Sequence, residues 1–165
     1  MGGSKLHQFF LSGAGDATIR EVLSDTYIGV DASWMMQKYL QHYQSDIRAG
    51  ECARAVCEFV QRLDYIEKEN VFVQVVFDGE CPPCKRDEAR RREKGGRLRR
   101  TRALEKGIIA ALRARETDYV VAPYEAETQL VYMQQSGRIQ HILASDADYF
   151  ALGCRKMLWD FRLQS

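Results

Sequence analysis

The chain has 165 residues, 45% of them hydrophobic and 28% charged, with a formal net charge of +1. That suffices for one globular domain with its own core and would be cramped for two. No apolar run is long enough to span a bilayer, and the opening MGGSKLHQFFLSG lacks the basic-then-apolar order of a signal peptide, so the expectation is an intracellular protein with no membrane association. Five cysteines, an odd number at irregular spacing, argue against a disulfide framework and for a reducing compartment.

Taken in order, Gly2 to Leu11 reads as a short arm and Ser12 to Asp16 as a loop. Tyr27 to Val30 is a short strand pattern ending at Asp31, and Trp34 to Tyr43 reads as helix. Ala53, Val56, Cys57, Val60 and Leu63 recur at helical spacing, which predicts a second helix laid on a sheet. Val71 to Phe77, VFVQVVF, is almost continuously apolar, as a strand covered on both faces must be, and it ends at Asp78. Cys81 and Cys84 form a CPPC with no second pair or histidine cluster to complete a zinc site, so they read as reduced thiols, Cys84 at a helix start beside Lys85 and Arg86.

The stretch from Lys85 to Arg115 holds thirteen of the 24 Lys and Arg and four of the 23 acids, a local +9 that leaves about −8 on the rest. The pattern is that of a dipolar molecule with a basic stripe and an acidic body. Beyond it, Tyr119 to Val121 reads as a strand, Pro123 fits the first turn of a helix with Ala126, Leu130, Val131 and Met133 on one face, and Gly137 suits its C-terminal cap. Ile139 to Ala144 is a buried strand pattern and Lys156 to Phe161 a further strand. Strand alternating with helix predicts an α/β fold with a mainly parallel central sheet flanked by helices.

The acids fall in telling places. Asp31, Asp78 and the pair Asp146/Asp148 each follow a predicted strand, and the pair Glu125/Glu127 opens a helix after another. Ligands of open parallel sheets bind just beyond the carboxyl ends of the strands, so six carboxylates would gather along one rim. Acidic groups that close repel one another, and a divalent cation is the usual way to hold them together. A capping role for each aspartate taken singly is the bland alternative; the set favours a metal site.

The segments IGVDAS (28–33), VFDGECPPCKR (76–86), VAPYEAETQLVYMQQSGRI (121–139) and ASDADYFALGC (144–154) resemble the flap endonuclease family, which includes the excision-repair endonuclease and the 5′-to-3′ duplex exonuclease. VAPYEAE followed by a helix and SDADYFALGC is similar to the exonuclease branch. The resemblance implies a single PIN-like nuclease domain over 1–165, with an N-terminal block of about 1–95, a short basic helical arch of about 85–115 and an internal block of about 117–165. It implies that Asp31, Asp78, Glu125, Glu127, Asp146 and Asp148 stand where the family keeps its Mg²⁺-binding carboxylates, two ions in all, with Mn²⁺ as a substitute. Lys85 and Arg92 stand where the family's catalytic basic residues meet the scissile phosphate, and seven residues apart they would share one helix face. Gly2 matches the start of the mature chain, near the active site. Arg90, Arg91, Arg97, Arg99, Arg100 and Arg102 are then expected to grip the nucleic-acid backbone, a sequence-independent and salt-sensitive contact.

The activity so implied is a divalent-metal-dependent 5′ nuclease of DNA repair or replication, monomeric and nuclear, acting on DNA with 5′ ends or flaps. A catalytically silent nucleic-acid-binding module and a PIN-like ribonuclease are the alternatives, and a phosphatase built on the DAD sequence is the weakest. Three departures from the family pattern accompany the resemblance. The arch is short and interrupted by Gly95-Gly96; Gln37 stands where relatives place a stacking aromatic or histidine, with Trp34 or Tyr39 as substitutes; and Ser165 precedes the family's seventh carboxylate and its helix-two-turn-helix region. The last departure predicts a fragment or a shortened relative with a weakened second metal position.

Overall fold

A computed structural model describes residues 25–67, 71–85 and 97–159. Five parallel strands form one sheet in the order β3-β2-β1-β4-β5. These are β1 (Tyr27–Asp31), β2 (Phe72–Phe77), β3 (Tyr119–Val121), β4 (His141–Ala144) and β5 (Met157–Trp159). Helices α1 (Ala32–His42), α2 (Gln44–Ala49) and α3 (Ala53–Glu67) connect β1 to β2. Helix α4 (Arg97–Ala114) precedes β3, α5 (Ala126–Gln135) joins β3 to β4, and the single turn α6 (Asp148–Ala151) follows β4.

Side-chain alternation on the strands divides the interior into two layers. Ile28, Val30, Val73, Val75, Phe77 and Leu143 face one core with α1, α3 and α4. Val76, Ile142 and Ala144 face the other, with Ala126, Leu130 and Val131 of α5 and Tyr149 of α6. Successive residues of a strand point to opposite faces, so a strand buried in both layers is apolar at nearly every position; in VFVQVVF the exception is the half-buried Gln74, and Phe72 at the strand's start is exposed. Gly29 interrupts β1 because α5 lies so close that a Cβ there would collide with the side chains of Leu130 and Ile139.

The segment read as a basic arch has two characters. Leu104, Ile108 and Leu112, at helical spacing, are fully buried against the α1/α3 layer, and α4 packs on α3 so closely that a Cβ on Gly107 would come within 2.9 Å of Val56 Cγ2. Each such aliphatic residue contributes roughly 2 kcal/mol by burial. The C-terminal half of the arch is therefore core, and its last basic residues serve structure: Arg113 donates to the Tyr119 hydroxyl at 2.8 Å, and Arg115 pairs with Asp64 and Glu67. Charge counting concealed this because three leucine or isoleucine positions fix a helix face however many arginines surround them.

Two other expectations shift. Helix α5 begins at Ala126, not at Pro123, because the carbonyls of Pro123 and Tyr124 accept hydrogen bonds from Glu80 and Gly79 and hold that turn out of the helix. Its other end matches the expectation: Gly137 takes φ +76°, with Gly137 N–H bonded to Gln134 O and Arg138 N–H to Met133 O, a Schellman cap. Cys84 lies in a short 3₁₀ turn, Pro83–Lys85, and the helix expected from Lys85 to Arg92 lies outside the described residues, as do Gly2, Arg90, Arg91 and Arg92.

Candidate active site

The strand order turns on β1. From β1 the chain first adds β2 and β3 on one side, then β4 and β5 on the other, so the crossovers part between the carboxyl ends of β1 and β4. A crevice opens at such a switch point. Asp31 is the last residue of β1, Asp78 follows β2, Glu125 and Glu127 follow β3, and Asp146 and Asp148 follow β4. All six carboxylates expected at the rim therefore lie at one end of the sheet.

Asp31 is only 7% exposed. It ends the strand and caps the helix at once: Oδ1 accepts from Trp34 N–H at 3.0 Å and Oδ2 from the buried Tyr149 hydroxyl at 2.8 Å. Burial pushes its pKa up to about 6; the bonds from Trp34 and Tyr149 oppose this and the charge of Asp78 adds to it. Asp78 is exposed and bridges two elements, Oδ2 accepting from the Ser33 hydroxyl at 2.5 Å and Oδ1 from Ala126 N–H at 2.8 Å. The second bond caps α5 from another strand, since Glu125 at the N-cap position makes no side-chain cap of its own.

Glu125 instead accepts from Lys85 Nζ at 2.6 Å, which lifts the lysine pKa further above its ordinary value. Glu127 is the most perturbed acid of the rim, pushed up to about 7 by burial and then by the charges of Asp146, Asp31 and Glu125, against the opposing pull of Lys85. That ordering places carboxylates from β1, β4 and α5 in one electrostatic neighbourhood. Asp146 Oδ1 accepts from Asp148 N–H at 3.0 Å, which shapes the turn into α6.

The donor chemistry suits a hard divalent cation: carboxylate oxygens, whose neighbouring charges help burial raise the pKa of Asp31 and Glu127, with Lys85 at the edge. As they stand, no three His, Cys, Asp or Glu side chains among the described residues are drawn in tightly enough to enclose an ion. Asp31 and Asp78 each accept a protein hydrogen bond on both oxygens and Asp146 on one, and every one of these oxygens keeps a further lone pair for a cation.

Three participants escaped sequence reasoning. Ser33 holds Asp78, Tyr149 holds Asp31, and Glu105 of α4 has its pKa raised by burial and then by Asp78. Ser33 and Tyr149 flank the acids in the segments IGVDAS and ASDADYF, a positional hint; Glu105 had no signal beyond being an acid on a buried helix face. Of the two aromatic substitutes for Gln37, Tyr39 is ruled out, being 8% exposed and packed on Phe59. Trp34 is half-buried with Lys38 Nζ 4.5 Å from its ring centre. Arg97, Arg99 and Arg100 lie on α4 with side chains outside the described set, and Arg102 is exposed. Cys81 and Cys84 are free and exposed.

Residues 116–165 match the family model of the XPG I-region. Among curated proteins, exonuclease 1 of Xenopus laevis is 28% identical over 96% of this chain and 25% of its own length. Exodeoxyribonuclease 1 of Saccharomyces cerevisiae is 27% identical over 61% of this chain and 18% of its own. The chain thus spans about a quarter or less of these relatives. Among solved structures, the catalytic core of Rad2 in complex with a DNA substrate superposes with a TM-score of 0.78 at 22% identity, covering 99% of this chain and 51% of that one. Human GEN1 in complex with Holliday junction DNA gives 0.78 at 19% identity, over 99% of this chain and 41% of that one. Family model, sequence relatives and fold agree with the resemblance in the sequence: the chain carries a PIN-like nuclease fold, and its sequence is similar to the XPG I-region over 116–165 and to exonuclease 1 proteins over most of its length.

Proposed function

We propose that the chain is the PIN-like nuclease domain of a divalent-metal-dependent 5′ nuclease that hydrolyses DNA phosphodiester bonds at 5′ ends or flaps. The observation that carries this reading is the gathering of six carboxylates from four strand ends at one switch point, with Lys85 at their edge. In the proposed assignment Asp31, Asp78, Glu125 and Glu127 hold one Mg²⁺ or Mn²⁺, and Asp146 and Asp148 contribute to a second. Bound there, such ions supply an activated water and neutralise the leaving oxygen. The chain's own contributions are positional and electrostatic. Asp78 fixes Ser33 and the start of α5 relative to β2, so Glu125 and Glu127 face the crevice from a rigid helix end. Lys85, half-exposed and tied to Glu125, can turn its ammonium to a phosphate oxygen, where charge builds in the transition state. Arg92 joins it on the proposed assignment, and Arg90, Arg91, Arg97, Arg99, Arg100 and Arg102 grip backbone phosphates, with Gly2 near the cleaved strand.

The domain arrangement proposed is a single nuclease domain in which only the N-terminal part of 85–115 acts as the basic arch. A nuclear role in DNA repair is part of the same proposal, supported by the likeness to exonuclease 1 proteins. The test is cleavage of an end-labelled 5′-flap duplex with Mg²⁺, with Mn²⁺ and with EDTA, alongside an RNA version of the same strand. Metal-dependent cleavage of the DNA substrate is expected. Activity that survives EDTA would overturn the metal-dependent reading; salt-sensitive binding with no turnover in either metal would replace it with a silent binding module, and preference for RNA would make the chain a ribonuclease.

A further inference from the structure

We infer that Tyr149 is a positioning residue that ties the Asp146/Asp148 turn to Asp31 and so sets how the rim closes on a divalent cation. The inference deepens the metal-dependent reading above and rests on it.

The hydroxyl of Tyr149 donates to Asp31 Oδ2 at 2.8 Å across 118 residues of sequence. Both partners are withdrawn from water, Tyr149 at 0% exposure and Asp31 at 7%. The ring has no freedom to follow the carboxylate, because it is embedded with Val76, Ala122, Ala126, Leu130, Ile142 and Ala144 in the second core layer. Tyr149 is also the second residue of α6, the turn whose N-terminal side carries Asp146 and Asp148. One rigid phenol therefore connects the acid at the end of β1 to the acids at the end of β4, the two strands between which the crevice opens. With Trp34 N–H on Oδ1 and Tyr149 O–H on Oδ2, the carboxylate plane of Asp31 is fixed and each oxygen presents only its remaining lone pair. A hydrogen bond of this kind to a metal-binding carboxylate orients it, and its removal typically weakens metal affinity by about 10- to 100-fold.

Tyr149→Phe removes one oxygen and keeps the ring in its core site. Its counterpart is Val131→Ala, which removes buried volume from the same core layer on α5 and leaves the Asp31 hydrogen bonds untouched. Binding of Mn²⁺ alone to the whole chain, followed by the loss of the free-ion electron paramagnetic resonance signal, gives affinity without any need for activity, and thermal melts in EDTA give the stability of each variant. The expected result is Mn²⁺ affinity about 10-fold or more weaker in Tyr149→Phe, an altered spectrum of the bound ion, and near-native affinity in Val131→Ala despite its lower melting temperature. Unchanged affinity and spectrum in Tyr149→Phe would overturn the inference while leaving the metal reading intact. An equal loss in Val131→Ala would assign the effect to general loosening and overturn it also. A native chain that takes up no Mn²⁺ would sink the metal reading and this inference with it.

Discussion

The two ends of the parallel sheet treat charge in opposite ways. At the amino ends of the strands, Arg115 pairs with Asp64 at 2.6 Å and Glu67 at 2.8 Å and reaches the Val60 carbonyl, so cation and acids compensate one another beside the stacked rings of Tyr27 and Phe72. A groove lies there too, and its lining mixes Arg115 and Arg138 with Glu67, Glu116 and Asp118, so charges of both signs meet in it. At the carboxyl ends, six acids from four strand ends meet Lys85 as their one ion-pairing cation among the described residues, and burial and mutual repulsion hold Asp31 and Glu127 up at about 6 and 7. A fold that had only to be stable would pair the second set as it pairs the first. Among the described residues it is this excess of negative charge, rather than the presence of a groove, that sets apart the end to which the proposed function assigns the metal.

The sharpest way to break the comparison is to remove charged groups from each end in turn. Asp78→Ala is expected to lower metal-dependent cleavage by on the order of a thousandfold while DNA binding holds or tightens, since a ligand and a negative charge near phosphate are lost together. It also strips acceptors from Ser33 and from the start of α5, at about 1 to 2 kcal/mol of stability. Asp78→Asn keeps an acceptor and is the cleaner version; a native cleavage rate in Asp78→Asn would remove Asp78 from the metal position. Lys85→Ala should come next, with turnover down on the order of a hundredfold and affinity little changed. An affinity loss equal to the rate loss would reduce Lys85 to backbone binding.

At the structural end, Arg115→Ala should leave cleavage unchanged at permissive temperature and cost about 2 kcal/mol. The figure lies below that for a fully buried pair, because the Arg115 side chain is 23% exposed and Asp64 is 48% exposed. A melting temperature about 4 to 8 °C lower would register it; loss of activity without loss of stability would contradict the division between the ends.

The carboxyl end carries a pH dependence with a definite sign; burial raises the pKa of Glu67 at the amino end in the same direction, so it is the metal response that separates the two ends. Asp31 and Glu127 have folded pKa values raised above their ordinary 3.8 and 4.5, so the folded protein binds more protons than the unfolded chain between about pH 4 and 7. Stability in EDTA is therefore greatest below pH 4 so far as these two groups decide it, and falls as pH rises through 6 and 7, by about 3 kcal/mol for the buried Asp31. A divalent ion binds the charged forms, so the gain in melting temperature on adding Mn²⁺ should grow from pH 5 to 7.5. Melts across that range, with EDTA and with Mn²⁺, check both slopes; a metal effect independent of pH would place the ion elsewhere.

Much of this organisation is legible in the sequence because it is local. The apolar run from Val71 to Phe77, the acid after each strand and the glycine cap of α5 are each decided within a few residues. What escaped is decided by partners far away. Helix α5 starts late because Gly79 and Glu80 claim the carbonyls of Tyr124 and Pro123, and β4 starts at His141 rather than Ile139 because Ile139 N–H still bonds back to Met133 O. The hydrogen bond from Tyr149 to Asp31 joins residues 118 apart, and no periodicity encodes it. Strand order lies beyond local pattern as well, yet it is what turns four separate strand ends into one rim.

The smallest effect tests the basic helix, which the same logic divides lengthwise. Arg102 and Lys106 are exposed on α4 ahead of the point where its charges become structural, whereas Arg113 is committed to Tyr119 through a 2.8 Å hydrogen bond and a cation over its ring. A cation that neutralises a phosphate releases about one counterion, so its removal lowers the slope of log affinity against log salt by about one. Arg102→Ala is therefore expected to reduce the slope for duplex DNA by about one unit with little change in melting temperature. Arg113→Ala should leave the slope alone and loosen the contact of α4 with β3, by under about 1 kcal/mol at this exposed position. Binding isotherms at four or five salt concentrations separate the two. Equal slopes in all three proteins would mean that nucleic acid approaches by a surface other than the first half of α4, and the proposed grip of Arg97 to Arg102 would fall with it.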